Sequence, residues 1–329
     1  MQQAAPAFTF FSNRGSRQFA AALEPLGGRC FDASLDAAPD LLYFDTYTAN
    51  THSADTRQAS SDDQAQLPPP LHARSLTLIP RERTAALDNK ASMARALMAE
   101  GLSEPRVYFR VQDVPTDAAS LWFVKTPHRS GGRGIAVVRS ADLGRFQGQG
   151  VIIQEAVQDL DLIAGHKYTL RLYVLAFRGQ LYLYADGFAV VHGAPYQPGS
   201  CDPAVQFVHD GYLRADSAVR LLPLSELDQT NARLQGCAAT LSQTFAVFRD
   251  RLKHEREFDY CLFGVDMLIR SDGRAVLVEI NDRPNLVHTP LINRKVNIPM
   301  LRAMVLQLSP EWGSAQQDPQ QSFQQLLSL

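Results

Sequence analysis

The sequence predicts a mixed α/β (α+β) chain with a small N-terminal α/β domain followed by two larger lobes. Three observations carry this. Two short apolar runs, 7–11 (AFTFF) and 40–45 (DLLYFD), flank a helical stretch from Arg17 to Leu26 that Gly27-Gly28 ends, a β-α-β opening. A β-rich middle follows, with runs at Leu121 to Lys125, Gly134 to Val138, Val151 to Gln154, Lys167 to Phe177 and Leu181 to Tyr184. A long helical pattern over 229–255 and an apolar hairpin over 260–281 complete it. The expected boundaries are 1–80, 81–155 and 156–329, reasonable for 329 residues at roughly 100–200 per domain.

Each element has its own warrant. Residues 51–66 are polar and lead into Pro68-Pro69-Pro70, which reads as a loop. Residues 88–100 read as a helix with Asp88 or Asn89 as N-cap, Gly101 as stop, and Met93, Ala94, Leu97 and Met98 as its apolar stripe. Lys167 to Phe177 alternates like a strand, and Leu181 to Tyr184 pairs back through Arg178-Gly179. In 229–255, Leu234, Cys237, Ala238, Leu241, Phe245, Phe248 and Leu252 recur at helical spacing and read as core. The Gln-rich end with Phe323, Leu326 and Leu327 fits either a short docked helix or a frayed tail.

Composition excludes some function classes. The formal net charge of −2 gives no field to draw nucleic acid or an anionic membrane. Cys30, Cys201, Cys237 and Cys261 are scattered, without the pairing of a zinc site or disulfide framework. Met1 to Phe10 lacks the basic start and apolar run of a signal peptide, and no run reaches the roughly 18–20 apolar residues of a membrane span. A cytoplasmic protein with no nucleic-acid or membrane partner is expected.

The strongest chemical signal is YCLFGVDMLIRSDGRAVLVEIN, residues 260–281. Asp272-Gly273 between apolar runs predicts a two-residue hairpin loop. Ser271 then opposes Arg274, and counting outward sets Asp266 opposite Glu279. Two partly buried carboxylates facing each other need a cation or a shared proton. Asn281 shares the face of Glu279, and its counted partner, Gly264, leaves that spot open. Oxygens of Asp266, Glu279 and Asn281 on one face suit a hard cation, with Mg²⁺ on nucleotide phosphates the natural occupant. The alternative is ion pairs with Arg171, Arg274 or Arg283. A bulge or longer turn would shift the register by one and separate the acids.

Two further segments are basic. Lys125 ends a strand that runs into Thr126-Pro127-His128-Arg129-Ser130-Gly131-Gly132-Arg133-Gly134. Such a turn can lay backbone N–H groups over phosphates, or simply be a glycine-rich turn. Period two sets Lys167, Thr169 and Arg171 on one face of their strand, opposite Tyr168, Leu170 and Leu172. That face suits an anionic ligand or a solvated exterior. Gln154-Glu155-Ala156-Val157 leaves a strand for a loop, where exposed backbone can read an adenine edge. His128, His166, His192, His209 and His288 lack ligand spacing and read mostly as structural or surface residues.

Lys90-Ala91-Ser92, FVKTPHRSGGRGI, VIIQEAV, GHKYTLRLYVL, FGVDMLI and VEINDRP occur in this order between about Lys90 and Leu286. Together they resemble the tubulin–tyrosine ligase family of the ATP-grasp superfamily. The resemblance implies an ATP-grasp fold whose two lobes enclose ATP. It implies that Lys90 and Lys125 contact phosphates under the 129–134 loop. Gln154, Glu155, Ala156 and Val157 would hold the adenine, with Lys167 in the same pocket. Arg171 would face the γ-phosphate and an acyl phosphate, so that Arg171 and Lys125 act in catalysis, and Asp266, Glu279 and Asn281 would bind Mg²⁺. The implied reaction is ATP-dependent joining of an amino-acid carboxylate to an amine of a peptide, protein or small molecule. Other readings are a ligase nearer the glutathione-synthetase or ribosomal-protein-glutamylating type, and a nucleotide-binding module without catalysis. Thr169 replaces the family's acid, Ala185 and Val190 replace arginines, and Phe207-Val208-His209-Asp210 stands where the family has His-Leu-Thr-Asn. These departures fall on substrate recognition, so an acceptor other than tubulin is expected.

Overall fold

Short alternating runs build three sheets, which the computed structural model describes over residues 8–45, 68–102, 104–115, 121–127, 134–207, 211–214, 216–253, 256–313 and 321–329. Strands β1 (Phe8–Ser12), β2 (Gly28–Cys30) and β3 (Leu41–Tyr43) form a parallel sheet in the order β2-β1-β3. Helix α1 (Ser16–Leu23) is the crossover and buries Phe19, Ala22 and Leu23. It stops short of Leu26, because Glu24–Leu26, with Pro25 inside it, tightens into a 3-10 turn before Gly27 leaves at φ 84°. Strand β2 lacks an alternating apolar pattern, so its sequence gave no strand signal. Strand β4 (Thr77–Leu78) pairs parallel with a strand of the largest sheet described below.

Two helices lead into the middle of the chain. Helix α2 (Arg81–Asp88) has a weakly apolar sequence and carries no clear stripe. Helix α3 (Lys90–Ala99) begins at Asn89, whose side chain accepts hydrogen bonds from the Ala91 and Ser92 N–H groups. Gly101, at φ 71°, follows its end. The second sheet is antiparallel, with β5 (Val107–Tyr108), β6 (Leu121–Lys125), β7 (Ile135–Arg139) and β8 (Ile152–Glu155) in the order β5-β8-β6-β7.

The largest sheet holds β9 (His166–Phe177), β10 (Gln180–Pro195), β11 (Arg220–Pro223), β12 (Asp259–Ile269) and β13 (Ala275–Asn281) in the order β11-β10-β9-β12-β13. Arg178 and Gly179, both at positive φ, turn β9 into β10, as their sequence predicts. The chain's last residues are neither helix nor tail. They form β14 (Phe323–Ser328), antiparallel to β10, with Phe323 buried beside the ring of Tyr184. Helical stripe and edge strand are hard to separate in so short a run. The available edge of β10 decides it.

Strand β9 shows how the sheet divides its labour. Tyr168, Leu170, Leu172, Val174 and Ala176 point into a core shared with helix α4 (Thr230–Val247) through Cys237, Leu241 and Phe245. The helical pattern beyond α4 breaks at Phe248 and resumes as a single turn, Arg249–Leu252. On the opposite face, Tyr173, Leu175 and Phe177 join the N-terminal sheet and helix α5 (Ile298–Leu308) in one continuous core. The same face continues backward through Arg171, Thr169 and Lys167. The polar 51–66 stretch, His128 to Arg133 and Val208 to Asp210 lie outside the described residues.

Candidate functional site

The hairpin β12–β13 carries the two facing acids, by a different route from the one its sequence predicts. The loop spans three residues: Arg270 N–H donates to the Arg274 carbonyl at 2.9 Å, with Gly273 in the left-handed region at φ 84°. Near the turn the strands are therefore one position out of the expected register, with Ile269 opposite Ala275 and Met267 opposite Leu277. A bulge between Asp266 and Met267 restores it, so that Asp266 faces Glu279 and Gly264 faces Asn281. The longer turn and the bulge cancel.

Arg171 of β9 lies directly opposite Asp266 of β12, which lies opposite Glu279 of β13. A cation and two acids thus form a row across three neighbouring strands, each step about 4.8 Å by strand spacing. The Arg171 guanidinium grips Asp266 with two hydrogen bonds, Nε to Oδ1 at 2.6 Å and Nη2 to Oδ2 at 3.0 Å. Lys90, on the first turn of α3, reaches Glu279 Oε2 at 2.9 Å. Glu279 also takes a contact from Asn281 Nδ2 at 3.4 Å. Of the expected ion-pair partners, Arg171 is present, whereas Arg274 binds Asp272 at the exposed turn and Arg283 reaches the carbonyls of Asp282 and Ile79. The place opposite Asn281 is not open space. A Cβ on Gly264 would meet Pro284 Cβ at 2.7 Å and Arg171 Nη1 at 3.3 Å, so glycine here lets the guanidinium cross the strand.

Facing this row is a cleft between the second and third sheets, about 900 Å³ of empty space when its open mouth is included. It gathers Lys90, Lys125, Gln154, Glu155, Val157, Lys167, Asp266 and Glu279 among its lining residues. Ala156 is buried away from it, and its N–H donates to the Leu121 carbonyl at 2.8 Å. The Glu155 N–H is likewise taken by the Arg106 carbonyl, and the Glu155 carboxylate is held bidentately by Arg106 at 2.7 and 2.8 Å. The backbone through 155–156 is thus less available than its sequence suggests, because strand pairing continues past Gln154.

Phe123, Ile135, Phe207, Leu268, Leu277 and Val278 give the cleft apolar walls. Phe123 was legible in principle, since it shares the face of Lys125 two residues on. Gln206 had no signal, because it arrives on a one-turn helix, Pro203–Gln206, from a distant loop, and Phe207, which follows that helix, was marked only by the family resemblance. His192 lines the cleft too, and His288 is buried, with its ring accepting from Asn297.

The cations differ in their surroundings. Burial pushes the Lys125 ammonium down to about 8 against the pull of Glu279, while Lys125 donates to Gln154 Oε1. Burial, aided by Lys125, pushes Lys167 down to about 7. Burial also opposes ionisation of Glu279, but Lys90, Arg171 and Lys125 outweigh it and bring that carboxyl to about 2. Lys90 itself is raised, since Glu279 overcomes its desolvation. The wall therefore holds carboxyl groups beside buried basic groups, an arrangement that a polyanion with a hard cation would complete.

Among the described residues no three His, Cys, Asp or Glu side chains cluster as a closed metal cage. Two opposed carboxylates with an adjacent amide fit a cation that keeps part of its shell on phosphate oxygens, the habit of Mg²⁺. Among the described residues no helix is long and apolar enough to cross a membrane. A model of the tubulin-tyrosine ligase family matches residues 46–209, about half of the chain. The match includes Lys90, Lys125, Gln154, Lys167 and Arg171 and ends before the β12–β13 hairpin. No curated protein matches the chain.

Proposed function

Because the chain belongs to the tubulin–tyrosine ligase family, whose members are ATP-dependent ligases of ATP-grasp fold, we propose that it joins a carboxylate to an amine through an acyl phosphate. The donor is an amino acid and the acceptor a peptide, protein or small amine. The observation that carries the reading is the Arg171–Asp266–Glu279 row, which lies partly beyond the matched segment and whose two acids line the cleft.

In this reading Lys90 and Lys125 bind phosphate oxygens, Lys167, expected in the adenine pocket, joins them because its ammonium stands beside Lys125, and the apolar walls at Phe123, Leu268 and Leu277 take the base. Asp266, Glu279 and Asn281 would hold Mg²⁺, which would supply charge neutralisation to the phosphates. Arg171 has two of its nitrogens on Asp266 and its Nη1 beside Gly264. In this reading it stabilises charge on the phosphoryl group as the substrate carboxylate attacks and ADP departs. The amine then attacks the acyl carbon, the amide bond forms, and phosphate leaves with the electron pair of the broken C–O bond and takes up the amine's proton. Positioning and electrostatics dominate such chemistry. Thr169 opposite Val190 on β9 and β10 supplies no charge where the family carries an acid and an arginine, in keeping with an acceptor other than tubulin.

The test is ADP release from MgATP across a panel of amino acids and short peptides, with Glu279→Ala as control. Stimulation by one acid and amine pair, with the corresponding amide formed and both absent in the variant, supports the ligase. Tight ATP binding with no release under any pairing favours a nucleotide-binding module.

A further inference from the structure

The cations in and beside the cleft fall into two kinds by their partners. Lys90 and Arg171 rest on carboxylates, of Glu279 and Asp266. Lys125 and Lys167 rest on amide oxygens, of Gln154 and Gln206. An amide holds an ammonium by one hydrogen bond and leaves its charge uncompensated. A carboxylate holds it and cancels the charge.

Gln206 is built for this task. It ends the one-turn helix Pro203–Gln206, whose first turn Asp202 caps by accepting from the Ala204 N–H. The residue is 3% exposed. Its Nε2 donates to the Ser200 carbonyl at 2.9 Å, which turns Oε1 toward Lys167 Nζ, 3.1 Å away. The Phe123 ring lies 5.0 Å from the same ammonium and adds attraction without charge. We infer that Gln206 is a positioning residue of the nucleotide site, fixing Lys167 Nζ in the cleft while leaving its charge for a polyphosphate anion. The identity of that anion rests on the ligase reading.

The other groups around Lys167 leave this charge in place. From β6 comes Lys125, of the same sign. Glu155 of β8 is held by Arg106, and Asp266 and Glu279 by Arg171 and Lys90. His192 of β10 has its Nδ1 on the Val205 carbonyl at 3.1 Å. Thr169, two residues along the same face, is neutral. With burial already drawing Lys167 toward about 7, the hydrogen bond from its ammonium to the amide and the charge of the ligand decide its protonation near neutral pH.

Two substitutions separate positioning from mere support, because they move the pH limb in opposite directions. ATP binding with Mg²⁺ is followed by calorimetry from pH 6.5 to 9, with circular dichroism confirming the fold, and ADP release is measured alongside. In Gln206→Glu the ammonium stays protonated but neutralised. Affinity at pH 7 falls at least tenfold, about 1.4 kcal/mol, and the limb near pH 7 that belongs to Lys167 disappears, leaving the one that Lys125 sets near pH 8. In Gln206→Met the anchor is lost while volume is kept. Affinity falls again, but the limb moves to lower pH. Wild-type affinity and pH limb in both variants, or the same shift in both, overturns the inference while the ligase reading stands. The expected shifts without ADP release under any amine overturn the ligase reading alone. A wild-type protein that binds no nucleotide overturns both.

Discussion

At the scale of single residues the cleft wall makes three predictions. Glu279→Ala removes one of two opposed acids and the partner of Lys90. Turnover falls by at least about a hundredfold, the scale of lost transition-state electrostatics, while circular dichroism shows the fold kept. Unchanged MgATP turnover would exclude Glu279 from the metal set. Gly264→Ala places a methyl against Pro284 and the Arg171 guanidinium. Turnover then drops about tenfold or more with nucleotide affinity nearly constant. An equal loss of both would mean that Arg171 serves binding alone. The lysines set a pH dependence with two signs. Above about pH 7, Lys167 and then Lys125 lose the proton an anion needs, so affinity weakens as pH rises. Over the same interval the unfolded chain binds more protons than the folded one, so these two groups make the nucleotide-free protein more stable as pH rises. Lys167→Met should remove its share of both trends, read by calorimetry and thermal melts. What a residue's type could reveal was the pairing of Asp266 with Glu279. That Gln206 would meet Lys167 across 39 positions could not be read, since no period links a loop to a strand.

Elements show why some readings held and others failed. Helix α3 was legible from both ends, because Asn89 and Gly101 act through their own backbone neighbours. Asn89→Ala should cost about 1 kcal/mol of stability, seen as a lower melting temperature. Because Lys90 follows the cap directly, the variant should also weaken nucleotide binding, and a change in stability with no change in affinity would separate the cap from the site. The strand pattern of β9 was equally clear, since period two marks both its faces. The hairpin loop was misread because Asp-Gly serves two-residue and three-residue turns alike, and the compensating bulge depends on how β13 meets its neighbours. Strand β14 escaped because an edge strand's identity lies in the strand it joins. Deleting Phe323–Leu329 should bare the β10 edge and uncover Tyr184. The truncated protein should melt lower and aggregate in light scattering, whereas a monodisperse protein of unchanged melting point would make β14 dispensable.

For the whole molecule, the β-α-β opening and the β-rich middle were visible as local runs, but the core that unites them was not. Phe8, Phe10 and Phe19 pack in one cluster with Tyr173, Leu175, Met300 and Met304, so the N-terminal sheet and the largest sheet share an interior that no single segment announces. The same non-local construction governs the acid-cation row. Arg171 and Asp266 are 95 positions apart, and the row exists only after β9, β12 and β13 have aligned. Such long-range pairing is entropically late in folding. Nucleotide binding should therefore return with the slowest refolding phase, and a fragment restricted to the family-matched residues 46–209 would hold cations without the acids that answer them. On that expectation the cleft is assembled last, and a half-refolded copy would hold the lysines of β6 and β9 without the opposed acids that complete the wall.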